Sequence, residues 1–179
     1  NGIGIGFALD RVADVLKQFN IWRAFINAGG STVIALSPPD DHIGWPVGTA
    51  LPSHLAEMLE KDEKAAHTQE KSIANAGSGT IWLHSQAMSV SNLKKDLPLI
   101  DPRTEQPVQG RYAAWAIADS AAKSDALSTS LMIMSETEKE EYFNSNPDEL
   151  GVMVTPGLGG DGFRTRNYGR MRMHHSLNC

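Results

Sequence analysis

The run Ala118–Ser135 constrains this chain more than any other stretch. Ala121, Ala122, Leu127, Leu131, Met132 and Met134 give it enough apolar positions to bury one side of a helix. Read as a helix, it sets Asp125, Ser128 and Thr129 at i, i+3 and i+4, on one face. That face offers one carboxylate and two hydroxyls, all hard oxygen donors of low total charge, which suits Mg²⁺. Taken alone, the same three residues also suit a solvated helix face. Just upstream, Arg111–Ala118 reads as a strand with Trp115 and Ile117 turned inward, so a strand feeds the helix directly.

With 179 residues the chain is long enough for a full core and is most simply one domain, or one domain and part of another. A net charge of −5 argues against general nucleic-acid binding, which needs a basic footprint. No apolar run approaches the length of a membrane span. The single Cys179 excludes a disulfide framework and a thiolate metal site. The chain opens on Asn1-Gly2-Ile3-Gly4, already inside a motif, so an N-terminal portion is expected to be missing.

Gly2-Ile3-Gly4-Ile5-Gly6 runs into Ala8–Asn20, where Leu9, Val12, Leu16 and Phe19 recur at helical spacing and Asp10, Arg11, Asp14 and Lys17 lie opposite. A glycine turn before a helix can present backbone N–H groups to phosphate, but neither the dinucleotide nor the P-loop fingerprint is present. Trp22–Asn27 and Thr32–Leu36 read as strands, joined by Ala28-Gly29-Gly30-Ser31, a turn or a close backbone approach. Trp45–Thr49 reads as a short edge strand, His54–His67 as a polar helix, and Thr80–Ser85 as a further strand. Asp101–Val108 is a turn held by two prolines, Glu136–Phe143 an acidic helix and Leu150–Thr155 a last strand. Residues 156–179 show no period and read as a mobile tail, leaving 1–155 as the domain. Strands and helices mix without steady βαβ alternation, which predicts α+β with largely antiparallel pairing.

Four ordered segments resemble the FAD:protein FMN transferase, or ApbE-type, family. They are Gly2-Ile3-Gly4-Ile5-Gly6-Phe7-Ala8-Leu9-Asp10, Ile26-Asn27-Ala28-Gly29-Gly30, Ile100-Asp101-Pro102-Arg103-Thr104 with Pro107-Val108, and Ser124-Asp125-Ala126-Leu127-Ser128-Thr129. They correspond to the family's glycine-rich segment, its NAGG turn, its IDPRTG-x-PV segment and its ADALSTAL helix. Together they cover about residues 1–155, the C-terminal part of the family domain.

The resemblance implies a T-fold-like α+β architecture with antiparallel sheets packed on helices and FAD in a cleft. It implies a Mg²⁺-dependent transferase that cleaves FAD, attaches FMN to a Thr or Ser hydroxyl of a target protein and releases AMP. Relatives that hydrolyse FAD to FMN and AMP supply an alternative. The target would be a flavoprotein of an electron-transfer complex. The setting would be extracytoplasmic, periplasmic or membrane-anchored, with any anchor outside this chain.

By position in the motifs, Gly2, Asp125, Ser128 and Thr129 are the implied metal residues. Gly2, Gly4, Asn27, Gly29, Gly30, Gly77, Ser78, Ile100 and Asp101 are the implied flavin contacts. The departures are as informative. Ile5 stands where the family often has Lys or Glu, and Ser31 replaces the Asp after the NAGG turn. Asn75-Ala76-Gly77 replaces a threonine-serine-glycine loop, with Ser78 following. Pro98 occupies the position of a catalytic His and cannot move a proton, which makes a non-catalytic flavin binder the rival reading.

Overall fold

A computed structural model describes residues 2–49, 80–93, 98–156 and 163–169. In order, the chain forms α1 (Gly4–Gln18), β1 (Phe25–Ala28), β2 (Thr32–Ala35), β3 (Trp45–Gly48), β4 (Thr80–Leu83), β5 (Gln86–Asn92), β6 (Ile100–Asp101) and β7 (Gln106–Pro107). There follow β8 (Ala113–Ala118), α2 (Ala121–Leu131), α3 (Glu136–Ser145), β9 (Leu150–Pro156) and β10 (Phe163–Tyr168). Six strands make one sheet in the order β1-β2-β5-β8-β9-β10, every neighbour antiparallel. The pairs β3-β4 and β6-β7 form two small antiparallel ribbons. This is the α+β, antiparallel architecture that the sequence implies.

The central strand β8 shows how both faces are used. Trp115 and Ile117 join Val33, Met88 and Val154 on one face, which the β3-β4 ribbon covers with Val47 and Leu83. Ala114 and Ala116 face the other way, toward Leu127, Leu131 and Met132. These short side chains let α2 lie close to the sheet, and Leu131 and Met132 are fully buried there. Burying each contributes about 1.5–3 kcal/mol relative to exposure.

Four differences from the sequence reading have physical causes. First, α1 starts at Gly4, within the stretch expected to be a turn, and buries Gly6, Leu9 and Ala13. Val12 and Phe19, expected on the core side, are 45% and 74% exposed. Close approach decides the buried side: a Cβ on Gly6 would lie 2.1 Å from the Ala121 carbonyl oxygen. Second, β5 escaped notice because Ser89, Ser91 and Asn92 make it polar, yet it pairs with β2 and β8 in the middle of the sheet. Third, the stretch expected to be a featureless tail contains β10, whose backbone pairs with all of Gly151–Pro156. Fourth, α2 spans only Ala121–Leu131: Ser120 caps its start, accepting from the Lys123 N–H. The helix expected at 54–67 lies outside the described residues.

Candidate functional site

Side chains from the second turns of α1 and α2 cap each other's first turns. Ile3 gives α1 no side-chain cap, and its first turn holds no acidic residue. The Gly6 N–H, one of the donors a helix start leaves unpaired, instead donates to Asp125 Oδ2 at 2.9 Å. In return, Asp10 takes the N–H of Ala121 at 2.8 Å and of Ala122 at 2.9 Å. Asp10 therefore belongs to the interface, not to the solvated side where helical spacing placed it.

Beyond Asp125, α2 faces β5 through hydroxyls. Ser124 and Ser128 are fully buried. Ser124 Oγ lies 2.7 Å from Ser89 Oγ, which donates to Thr32 Oγ1 at 3.2 Å. Ser91 Oγ lies 2.8 Å from Ser128 Oγ and 2.9 Å from Thr129 Oγ1. Ser128 and Thr129 also bond the Asp125 carbonyl, at 3.0 and 3.3 Å. Each such bond contributes about 1 kcal/mol net, and more is lost if one partner is left unpaired. Gly2 abuts the end of this cluster, where a Cβ would meet Thr129 Oγ1 at 2.9 Å.

Thr32, Ser89, Ser91 and Thr129 of this cluster line a cleft of about 900 Å³. Its lining includes apolar residues, Phe25, Val33, Val47, Met88, Val90 and Trp115, and polar ones, Ser31, Thr32, Ser89, Ser91, Asn92 and Thr129. Of the implied flavin contacts, Asn27, Gly29 and Gly30 line this cleft, as does Pro98. Gly29 and Gly30 have φ of +63° and +76°, and Asn27 Oδ1 accepts the Gly30 N–H at 3.0 Å. A Cβ on either glycine meets nothing within 4 Å, so the left-handed backbone, not crowding, requires them.

Other implied residues lie elsewhere. Gly4 is exposed in the first turn of α1, and Ile100 and Asp101 are not among the cleft-lining residues. Asp101 serves a clasp instead. Its carboxylate accepts from the Arg103 N–H at 2.9 Å and from its guanidinium at 3.0 and 2.9 Å. Arg103 also donates to Glu138 at 2.9 Å and to the Ile133 carbonyl at 2.9 Å, tying the β6-β7 ribbon to the start of α3. The Arg103 bonds hold the Asp101 carboxyl below the usual carboxylate range. Glu138 is held low too, by the Ser135 N–H first and then by Arg103. Gly77 and Ser78 lie outside the described residues. The cleft residues that sequence reasoning missed, Ser89, Ser91 and Asn92, all sit on β5. Their signal was the period-two alternation of Ala87, Ser89 and Ser91 against Met88 and Val90.

The family model described as the ApbE family matches residues 1–154. The chain belongs to the ApbE family. It is 25% identical over 147 residues to the FAD:protein FMN transferase of Haemophilus influenzae, covering 82% of this chain and 40% of that protein. The flavin transferase ApbE of Vibrio cholerae superposes with a TM-score of 0.67 at 19% identity, over 93% of this chain and 49% of that one. The Pseudomonas stutzeri flavinyl transferase ApbE, in its apo form, gives 0.66 at 21% identity, over 93% of this chain and 48% of that one. These likenesses show the fold. The chain spans less than half the length of the ApbE relatives it matches.

His84 follows β4 directly. It is exposed in the turn between β4 and β5 and is not among the cleft-lining residues. Among the described residues no cluster of three or more His, Cys, Asp or Glu could hold a metal. Mg²⁺ needs few carboxylates and retains waters, and Asp125, Thr129 and the Gly2 backbone offer oxygens of that kind. Thr129 lines the cleft, with Gly2 so close to its hydroxyl that no Cβ would fit, while Asp125, whose Oδ2 accepts the Gly6 N–H, and Gly2 are not among the cleft-lining residues. Ser128 is fully buried, its hydroxyl 2.8 Å from that of Ser91 and donating to the Asp125 carbonyl.

Proposed function

We propose that this chain is the flavin- and Mg²⁺-binding part of an FAD:protein FMN transferase. In this reading the protein cleaves FAD, transfers FMN to a Thr or Ser hydroxyl of a target flavoprotein in an electron-transfer complex, and releases AMP. The observation that carries the reading is the cleft of mixed apolar and polar lining, Thr129 included, in a chain of the ApbE family. Its apolar lining suits a flat, water-excluding ring system, and its polar residues suit a phosphate-bearing chain with a cation beside it. Asp125 and Thr129, with the Gly2 backbone, would hold Mg²⁺. When bound, Mg²⁺ neutralises charge developing on phosphate oxygens. The setting we propose is extracytoplasmic, with any membrane anchor outside this chain; no helix among the described residues is long and apolar enough to cross a membrane.

Pro98 favours a second reading. It stands in the cleft wall at the family's base position and has no proton to move. A positioned base contributes about 10²–10⁴-fold, so the chain binds FAD and turns it over slowly, or binds it without turnover. Flavin fluorescence titration with FAD, with and without Mg²⁺, tests binding; mass spectrometry of AMP and of FMN on an acceptor peptide tests transfer. Mg²⁺-dependent binding with slow AMP release that rises in Pro98→His supports the transferase. Binding with no transfer by either protein supports the non-catalytic binder, and no flavin binding refutes both.

A further inference from the structure

We propose that Ser91 is a positioning residue that orients the Thr129 hydroxyl toward a cation at the end of α2; this rests on the metal reading above. A helical Thr ordinarily donates its hydroxyl to the carbonyl four residues back. Thr129 Oγ1 stands 3.3 Å from the Asp125 carbonyl, farther than Ser128, which reaches the same oxygen at 3.0 Å. The nearer partner for Thr129 Oγ1 is Ser91 Oγ, at 2.9 Å. A hydroxyl that ligates a cation must turn a lone pair to it and send its proton elsewhere.

One direction among the three hydroxyls leaves the lone pairs of Thr129 free, with the longer Thr129–Asp125 carbonyl contact carrying no proton. Thr129 donates to Ser91, Ser91 donates to Ser128 over 2.8 Å, and Ser128 donates to the Asp125 carbonyl. Each hydroxyl gives its single proton once, and Thr129 keeps its lone pairs for the cleft. The chain ends on the residue whose carboxylate would share the cation. Reversed, with Ser91 donating to Thr129, the network would occupy a lone pair that the cation needs.

Calorimetric titration of the full chain with MgCl₂, with and without FAD, tests this, alongside thermal melts in EDTA. Ser91→Ala should weaken Mg²⁺ affinity about 10–100-fold, the usual effect of losing a group that orients a ligand. Ser91→Thr, which keeps the hydroxyl, should recover most of it, and metal-free melting should move little. Thr129→Ala should abolish binding. If the unaltered chain and Thr129→Ala both fail to bind Mg²⁺, the metal reading and this inference fall together. If Thr129→Ala loses binding while Ser91→Ala binds like the unaltered chain, only the role of Ser91 is overturned. If Ser91→Ala loses affinity only in proportion to a lower melting temperature, and Ser91→Thr does not restore it, Ser91 is structural and the inference fails.

Discussion

Gly6→Ala separates helix propensity from tertiary packing. In a helix interior, alanine is about 1 kcal/mol better than glycine, so local reasoning predicts stabilisation. The structure predicts the reverse. The new Cβ would lie 2.1 Å from the Ala121 oxygen, 2.5 Å from its carbonyl carbon and 2.7 Å from Ala122 Cα. All three are backbone atoms at the start of α2, so no side-chain rotation relieves the clash. Ordinary nonbonded contacts begin near ~3.5 Å, so the helices must part by about 1 Å or more. That movement stretches the 2.9 Å bond from Gly6 to Asp125 and the two bonds from α2 to Asp10 beyond useful length. A hydrogen bond to a charged group contributes about 1.5–3 kcal/mol and a helix cap about 1 kcal/mol. Set against the propensity gain, the net loss is about 2–4 kcal/mol. For a chain of this size that lowers the melting temperature by roughly 5–15 °C. Gly4→Ala is the control: a Cβ there meets nothing within 4 Å, so it should be neutral or slightly stabilising. Urea and thermal unfolding of both variants decide the matter. If Gly6→Ala is as stable as the unaltered chain, α1 is not seated on α2 as described.

Three further outcomes are expected. Asp125→Asn keeps an acceptor for the Gly6 N–H and should melt within a few degrees of the unaltered chain while losing Mg²⁺ affinity, whereas Asp125→Ala should lose both; equal melting of the two would deny Asp125 its capping role. Gly30→Val should cost about 1–2 kcal/mol because φ is +76°, and Gly30→Asn should cost less, since nothing crowds the site; an equal cost for both in chemical denaturation would point to a close contact instead. Arg103→Ala should destabilise near neutral pH. Because the folded state holds Asp101 and Glu138 below their ordinary values, their contribution is present above those values and fades as pH falls through the lower folded ones. The melting difference between Arg103→Ala and the unaltered chain should therefore narrow below about pH 4, and a gap constant with pH would mean the clasp is not electrostatic.

The sequence by itself determined the α+β class, the strand-to-helix passage from β8 to α2, the glycine turn after Asn27 and the family, because each rests on local pattern or contiguous motif. It also placed Asp125 and Thr129 on one helix, three to four residues being one turn. Tertiary structure refined which side of α1 is buried. Apolar spacing named Leu9, Val12, Leu16 and Phe19; Leu9 and Leu16 do meet the core, but the missing Cβ of Gly6 and the two bonds to Asp10 rotate the buried side toward Gly6 and Ala13 and leave Val12 and Phe19 exposed. It alone decided that Asp101 serves a clasp with Arg103, since the same Ile-Asp-Pro-Arg run can pair in more than one way. It alone revealed β5. Serines read as loop when their partners are unknown, and Ser89 and Ser91 sit in the middle of a sheet because Ser124, Ser128 and Thr129, more than thirty residues later in the chain, satisfy their hydroxyls.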